Sequence, residues 1–410
     1  MLSMSSHFFE SLHKEQWQEV RLGEVAEIKT DIWKVGGEQE QYIGLEHIAA
    51  DSLRLCGIGN SNEVSSNKYI FRENDILFGK LRPYFRKIIK SKFKGICSTD
   101  IWVIRAKQNI DQTFLFYFFA NKTLINLSYS SSKGTRMPRA DWNFLSQTTW
   151  LIPPLEVQQR IAEILSSFDD KIDLLHRQNK TLESLALTLF RHTFIDNPNR
   201  NEWEMGKLGD WIIETIGGDW GKEKPINDFQ EKVSCIRGTD IADLNKGLAD
   251  KTPIRYIKKN KLSILEPKEG DIIFEISGGT ETQSTGRCVF VNQQVKTLFE
   301  YPIVFSNFCR LLRVKKKEYS YFLYLYLQYL YYNDEFFALE NGTSGIKNLN
   351  YKALFYELEY KMPSEIQSIE FHEKVKIYFD KINANKKQIQ NLQSMRDMLL
   401  AKILNEKMEV

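Results

Sequence analysis

Cysteine is sparse in this 410-residue chain: Cys56, Cys97, Cys235, Cys288 and Cys309 are scattered, odd in number and without Cys-x-x-Cys spacing. This argues against a disulfide framework or thiolate zinc site, and a reducing cytoplasm is the expected compartment. The six histidines (His7, His13, His47, His176, His192 and His372) form no spaced cluster, so no metal site is expected. An excess of one charge is also missing, with 56 Lys and Arg against 53 Asp and Glu. A nucleic-acid surface would therefore have to be a local patch, because the field of the whole chain is weak. No apolar run is long enough to cross a bilayer. The most apolar, YFLYLYLQYLYY at Tyr321–Tyr332, is tyrosine-rich and predicts a core helix. The opening MLSMSSHFFESLHKEQ lacks a basic segment followed by an apolar one, and no signal peptide is expected.

Catalytic motifs are missing too. No Asn/Asp-Pro-Pro-Tyr/Phe motif for adenine methylation is present, and Ile152-Pro153-Pro154-Leu155 does not supply one. Neither a Gly-rich strand–turn–helix loop for S-adenosylmethionine nor a Walker loop occurs. Glu266-Pro267-Lys268, with Asp250 upstream and Asp271 nearby, has the form of a nuclease triplet. Its counterpart Ile70-Phe71-Arg72 has none of that chemistry, and a metal site needs convergent carboxylates. The chain is expected to be non-catalytic, with no cofactor of its own.

What the chain has is an internal repeat. Arg21–Glu24 (RLGE) matches Lys207–Asp210 (KLGD), and Glu73–Phe78 (ENDILF) matches Glu269–Phe274 (EGDIIF). Ser98 to Gly134 aligns without a gap with Ser306 to Gly342, and Phe168–Ile172 (FDDKI) matches Tyr378–Ile382 (YFDKI). The framework segments agree most and the loops least, as expected of two similar scaffolds presenting different surfaces.

Each copy ends in a heptad pattern. The first runs Ile161, Leu165, Phe168, Ile172, Leu175, Asn179, Leu182, Ala186, Leu189. The second runs Phe371, Val375, Tyr378, Ile382, Asn385, Ile389, Leu392, Arg396, Leu399, Ile403. Steps of four and three predict a coiled-coil seam, with helices of about 35 residues and about 50 Å. Pro153-Pro154 sets the first start and DNPNRN (Asp196–Asn201) ends it. Antiparallel packing would bring Asn179 and Asn385 together as a register-setting polar pair. The alternative is that both asparagines tilt to solvent.

The globular parts carry short strand-like runs, turn residues and one aromatic helical stretch each, which is an α+β pattern. Their loops suggest binding. Lys80–Lys94 (KLRPYFRKIIKSKFK) interleaves basic and aromatic residues, and Ser131–Trp142 sets basic residues beside a Gly-Thr. In the second copy Ser277–Arg287 and Asn341–Asn348 are rich in hydroxyls, amides and glycine. Such loops offer N–H groups to phosphates, and Arg, Asn and Gln can read base edges. Taken singly, each loop also fits an ordinary solvated turn. The candidate DNA contacts are Lys80, Arg82, Tyr84, Lys133, Thr135, Arg136 and Arg139 in the first copy. In the second they are Trp220, Lys222, Thr285, Arg287, Thr343, Ser344 and Lys347. Trp220 could equally be a core residue.

Three features together resemble a known family: Gly-Thr followed by IPPLEVQQRIAEILSSFDDKIDLLHRQNKTLESLALTLF, the W…RLGE opening and the ENDILFGKLRP run. The family is the specificity subunits of type I restriction-modification systems, and the resemblance covers nearly the full chain. The second copy departs at MPSEIQSIEFHEKV, where Ser364 replaces the leucine that follows proline in the first. The resemblance implies two target-recognition domains, each binding half of a split DNA site, spaced by an antiparallel coiled coil. It implies two methyltransferase subunits that methylate adenine, and two restriction subunits where the system also cleaves. S-adenosylmethionine, ATP and Mg would belong to those partners. The layout expected is residues 1–153 and 196–362 as recognition domains, with 154–195 and 363–410 as helical spacers. Two other readings stay open: the specificity module of a methylation-only system, and a coiled-coil adaptor with two protein-binding domains.

Overall fold

The computed structural model describes residues 14–132, 137–249, 251–342 and 345–404. They form two compact units. One holds the described residues up to Leu174 and from Gln390 on; the other is Leu175–Ile389. The division runs through both long helices, so each unit is an α+β domain with a segment of each helix packed on it.

In the first unit, a four-stranded antiparallel sheet runs in the order Ala26–Lys29, Ile101–Ala106, Ile76–Gly79, Ile88–Lys90. Side chains alternate across a strand, and here both faces are covered. Ile76, Phe78, Trp102 and Ile104 face a core that includes the aromatic helix Gln112–Ala120. Leu77, Ile101 and Val103 face a second core with Ile43, Phe71 and Cys97. Those belong to a five-stranded sheet in which Gln41–Ile43 and Gly95–Cys97 are parallel. Gln18–Arg21 pairs with Thr149–Ile152 and delivers the chain to Pro153-Pro154, after which the first long helix begins at Leu155.

The second unit repeats this plan. Its antiparallel sheet runs Ile212–Gly217, Cys309–Val314, Ile272–Glu275, Cys288–Phe290. Ile272, Phe274 and Leu312 face the core of the aromatic helix Ser320–Tyr332, and Ile273, Cys309 and Leu311 face the other. Phe229–Ile236 and Ile303–Phe305 form the parallel pair, and Met205–Gly206 with Tyr360–Lys361 the closing ribbon. Register repeats as well: Ile101 opposes Gly79 just as its counterpart Cys309 opposes Glu275. Both aromatic helices are core, and among the described residues no helix is long and apolar enough to cross a membrane.

The long helices are Leu155–Phe190, with 36 residues, and Glu365–Leu404, with 40. In the first unit Ile161, Leu165, Leu400 and Ile403 share one core. In the second unit Asn179 meets Asn385 and Phe190 meets Phe371, so the segments run antiparallel there. The buried stripe departs from the heptad in three places, one of them Leu400, which is buried where the pattern names half-buried Leu399. Phe379 and Phe190 are buried where the pattern names Tyr378 and Leu189, which are half-buried. A straight helix at 3.6 residues per turn drifts against a 3.5 repeat.

Candidate nucleic-acid interface

In each unit the fold pairs the two loops singled out above. In the first, Ala140 N donates to Lys80 O at 2.9 Å, Arg82 N donates to Pro138 O at 2.7 Å, and Leu81 bridges Arg139. In the second, Ser277 pairs with Asn348, and Leu349 N donates to Ile276 O at 2.9 Å. Segments about sixty and seventy residues apart are thus joined at matching places in the two copies, with different residues on show.

The first-unit loop turns sharply. Arg82 and Arg86 take left-handed backbone, φ 51° and 47°, on either side of the short 3-10 turn Pro83–Phe85. Non-glycine residues adopt that region at a cost of about 1–2 kcal/mol. The turn exposes Tyr84 and Phe85, and Tyr84 packs edge-on against exposed Tyr129 at 5.3 Å. Among the described residues, neither Lys80 nor Arg82 has a side-chain ion pair. Arg139 is exposed and donates to Asp100 at 3.0 Å. Lys80, Arg82, Tyr84 and Arg139 therefore sit on one paired-loop surface. Arg86, Lys87, Lys90 and Lys92 of the same run are engaged, the last with Asp173. Arg86 is buried against Asp51, Asp397 and Ala120 O, Lys87 donates to Leu45 O, and Lys90 donates to Thr113. Lys133, Thr135 and Arg136 lie outside the described residues, as do Thr343 and Ser344.

The second unit corrects two expectations. Thr285 is fully buried; its hydroxyl accepts from Gly279 N at 3.0 Å and its N–H donates to Glu340. Its side chain holds the sheet Ser277–Gly279, Lys347–Leu349, Glu340–Asn341 together and is not a surface contact. A Cβ on Gly279 would lie 2.6 Å from that hydroxyl, which is why glycine stands there. Arg287 spends its guanidinium on Glu275, at 2.8 and 2.6 Å, and that pairing holds its pKa above the usual arginine value. A guanidinium forked onto a buried carboxylate is not free to read a base. Lys347 is less tied, with Glu340 at 3.2 Å.

Trp220 and Lys222 lie on another edge, where Lys222 pairs with Tyr256. Trp220 is half-buried against the core, and Arg255 stacks on its ring at 3.9 Å. Lys222 is exposed, with its ammonium 5.6 Å from the Phe229 ring. The stacked Arg255 also pairs with Glu223 at 3.1 Å, so its guanidinium is tied as well. The basic run Arg313–Lys317 is largely framework. Arg313 holds Asp271 and Glu214, Lys316 pairs with Glu365, and Lys317 reaches Glu269 at 3.7 Å. With Asp271 so occupied, the triplet at Glu266 gains no partner from it. Among the described residues no group of three or more His, Cys, Asp or Glu could hold a metal ion.

Residues 14–184 match the model of the type I restriction modification DNA specificity domain. The MjaIX specificity subunit of a type I restriction enzyme, from Methanocaldococcus jannaschii, is 28% identical over 322 residues, covering 73% of this chain and 69% of its own. The MjaVIII specificity subunit of the same organism is 25% identical over 329 residues, covering 72% and 76%. Among solved structures, the S subunit of a type I restriction-modification system from M. genitalium is similar at 14% identity and a TM-score of 0.49, covering 96% of this chain and 97% of that one.

Proposed function

We propose that this chain, whose residues 14–184 match the type I restriction modification DNA specificity domain, is the non-catalytic DNA-reading subunit of a type I restriction-modification system. Each domain reads one half of a bipartite site, and the paired long helices fix the gap. Two methyltransferase subunits bound to this scaffold methylate adenine in each half. Two restriction subunits add cleavage where the system cuts. S-adenosylmethionine, ATP and Mg belong to those partners, and this chain needs none of them.

The observation that carries the reading is the matched pair of loop junctions, Leu81 with Arg139 and Ser277 with Asn348. One scaffold used twice with different loop residues is what two half-sites of different sequence require. In the first loop, unpaired cations and exposed aromatic rings suit phosphate and base contacts. The test is binding of purified protein, alone and with its methyltransferase partners, to duplex DNA across a salt series. Affinity should fall steeply as salt rises, with a log–log slope that counts the phosphates neutralised. A flat salt response would favour a protein-binding adaptor.

A further inference from the structure

The two long helices are copies of one unit, so each carries an apolar stripe that its own like, from a second copy of this chain, could also fit. Aligning Phe168–Ile172 with Tyr378–Ile382 makes Phe379 the repeat equivalent of Asp169, and Ala186 that of Arg396. The residues at these positions differ in kind. In the first unit Arg396 is fully buried and donates to Asp169 Oδ1 at 2.5 Å and to Asp397 at 3.0 Å. The second oxygen of Asp169 accepts from the Tyr117 hydroxyl at 2.6 Å, and Arg86 clasps Asp397 at 2.8 and 3.1 Å. In the second unit the equivalents of Tyr117, Asp169 and Arg396 are Leu325, Phe379 and Ala186, all within the apolar core. The asparagines follow the same rule. Asn385 donates to Asn179 at 2.8 Å and to Gln178 at 2.9 Å. The repeat equivalents of Asn179 and Asn385 are Ile389 and Leu175, both buried. Neither polar layer has a polar counterpart at the repeat-related position.

We propose that these two layers form a pairing key, which accepts the unlike long helix of the same chain and rejects a like helix from a second copy. If a first long helix took the place of the second, Asp169 would face Ala186 and Asn179 would face Leu175. If two second helices paired, Arg396 would face Phe379 and Asn385 would face Ile389. Pairing two first helices strands the half-buried Asp169 carboxylate, and pairing two second helices leaves buried Arg396 with only Asp397 of its own helix; each also strands a buried amide, and all of these losses occur twice over. An all-apolar seam would not discriminate in this way, because the repeat gives both helices the same stripe. This key stands independently of the DNA-reading function.

Charge exchange in the full-length protein tests it. Chains carrying Asp169→Arg, Arg396→Asp, or both changes are compared by melting temperature and native mass spectrometry. The two single variants are also co-expressed under different tags. Each single variant should melt lower than wild type. The double exchange should recover most of the loss at wild-type mass. The co-expressed singles should form a 1:1 complex, since Asp169 of one chain then finds Arg396 of the other. A double exchange no better than the two single losses added together would overturn the key, and so would co-expressed singles that ignore each other. Rejection is read separately by making both layers apolar, with Asp169→Phe, Arg396→Ala, Asn179→Leu and Asn385→Leu. Self-association should rise at least roughly tenfold over wild type at equal concentration, one decade in the association constant. No rise would overturn the rejection of like helices.

Discussion

Asp75 and Arg105 are locked together at two points, Oδ1 to Nε at 2.6 Å and Oδ2 to Nη2 at 2.7 Å. Asp271 grips Arg313 in the same way in the second unit, at 3.2 and 2.9 Å. Each aspartate is nearly buried and also accepts a backbone N–H, from Arg72 and Lys268 respectively, at 2.7 Å. The pair staples the two central strands of the repeated four-stranded sheet in both copies. Arg105→Met strands a buried carboxylate and should destabilise the first unit by about 3–5 kcal/mol, with Arg313→Met doing the same to the second. Denaturant unfolding followed by hydrogen exchange in each unit checks this. Equal protection in wild type and variants would contradict it.

Arg82 and Thr285 should separate reading from holding. Arg82→Ala removes an uncommitted guanidinium and should cut discrimination at one half-site by about 1–3 kcal/mol with melting unchanged. Thr285→Val removes a buried hydroxyl bonded to Gly279 N. It should reduce stability by about 1–3 kcal/mol and leave the salt slope of DNA binding as it was. Fluorescence anisotropy on duplexes altered in one half at a time, beside thermal melts, distinguishes the two.

Acid should loosen the second unit before the first. Burial holds the His372 imidazole below its usual value; it packs at a tilt against Tyr321, 4.9 Å between centroids, with its Nδ1 unpaired. The unfolded chain therefore takes up this proton first. Stability is full above about pH 6.5 and declines as pH falls below it. Burial would raise Asp397, but Arg86 and then Arg396 outweigh it and hold the carboxyl below its usual value. Its contribution is present above about pH 4 and is lost as pH falls through the folded value. Melting curves between pH 7.5 and 4.5 should show the first decline, and His372→Phe should flatten it.

Spacing offers a geometric prediction. Seven residues added to each long helix lengthen it by about 10 Å, close to three base pairs at about 3.4 Å each. The gap of the recognised site should grow by about three base pairs with both half-sites unchanged. Altered half-site bases would contradict the ruler.

The repeat made the fold legible, because matched strands, the helix start at Pro153-Pro154 and the aromatic runs each recur or punctuate at the level of sequence. The site was less legible for identifiable reasons. A hydroxyl in a glycine-rich loop does not announce which way it turns, so Thr285 read as a contact and is a core acceptor. Arg287 and Arg313 find their carboxylates only through sheet pairing. Arg396 stood in the seam by its spacing, but its partner Asp169 comes from helix packing. Tyr84, in the basic-aromatic run around a proline, is exposed as the run suggests, while Arg86 of the same run is buried.

The most direct measurement is single-molecule methylation sequencing of a host otherwise free of adenine methylation, expressing this chain with its methyltransferase subunits. The account predicts a split motif, two short half-sites around a fixed gap with adenine methylated in each, of which one half alone changes when Arg82 is replaced. An undivided motif, or methylation independent of this chain, would contradict it.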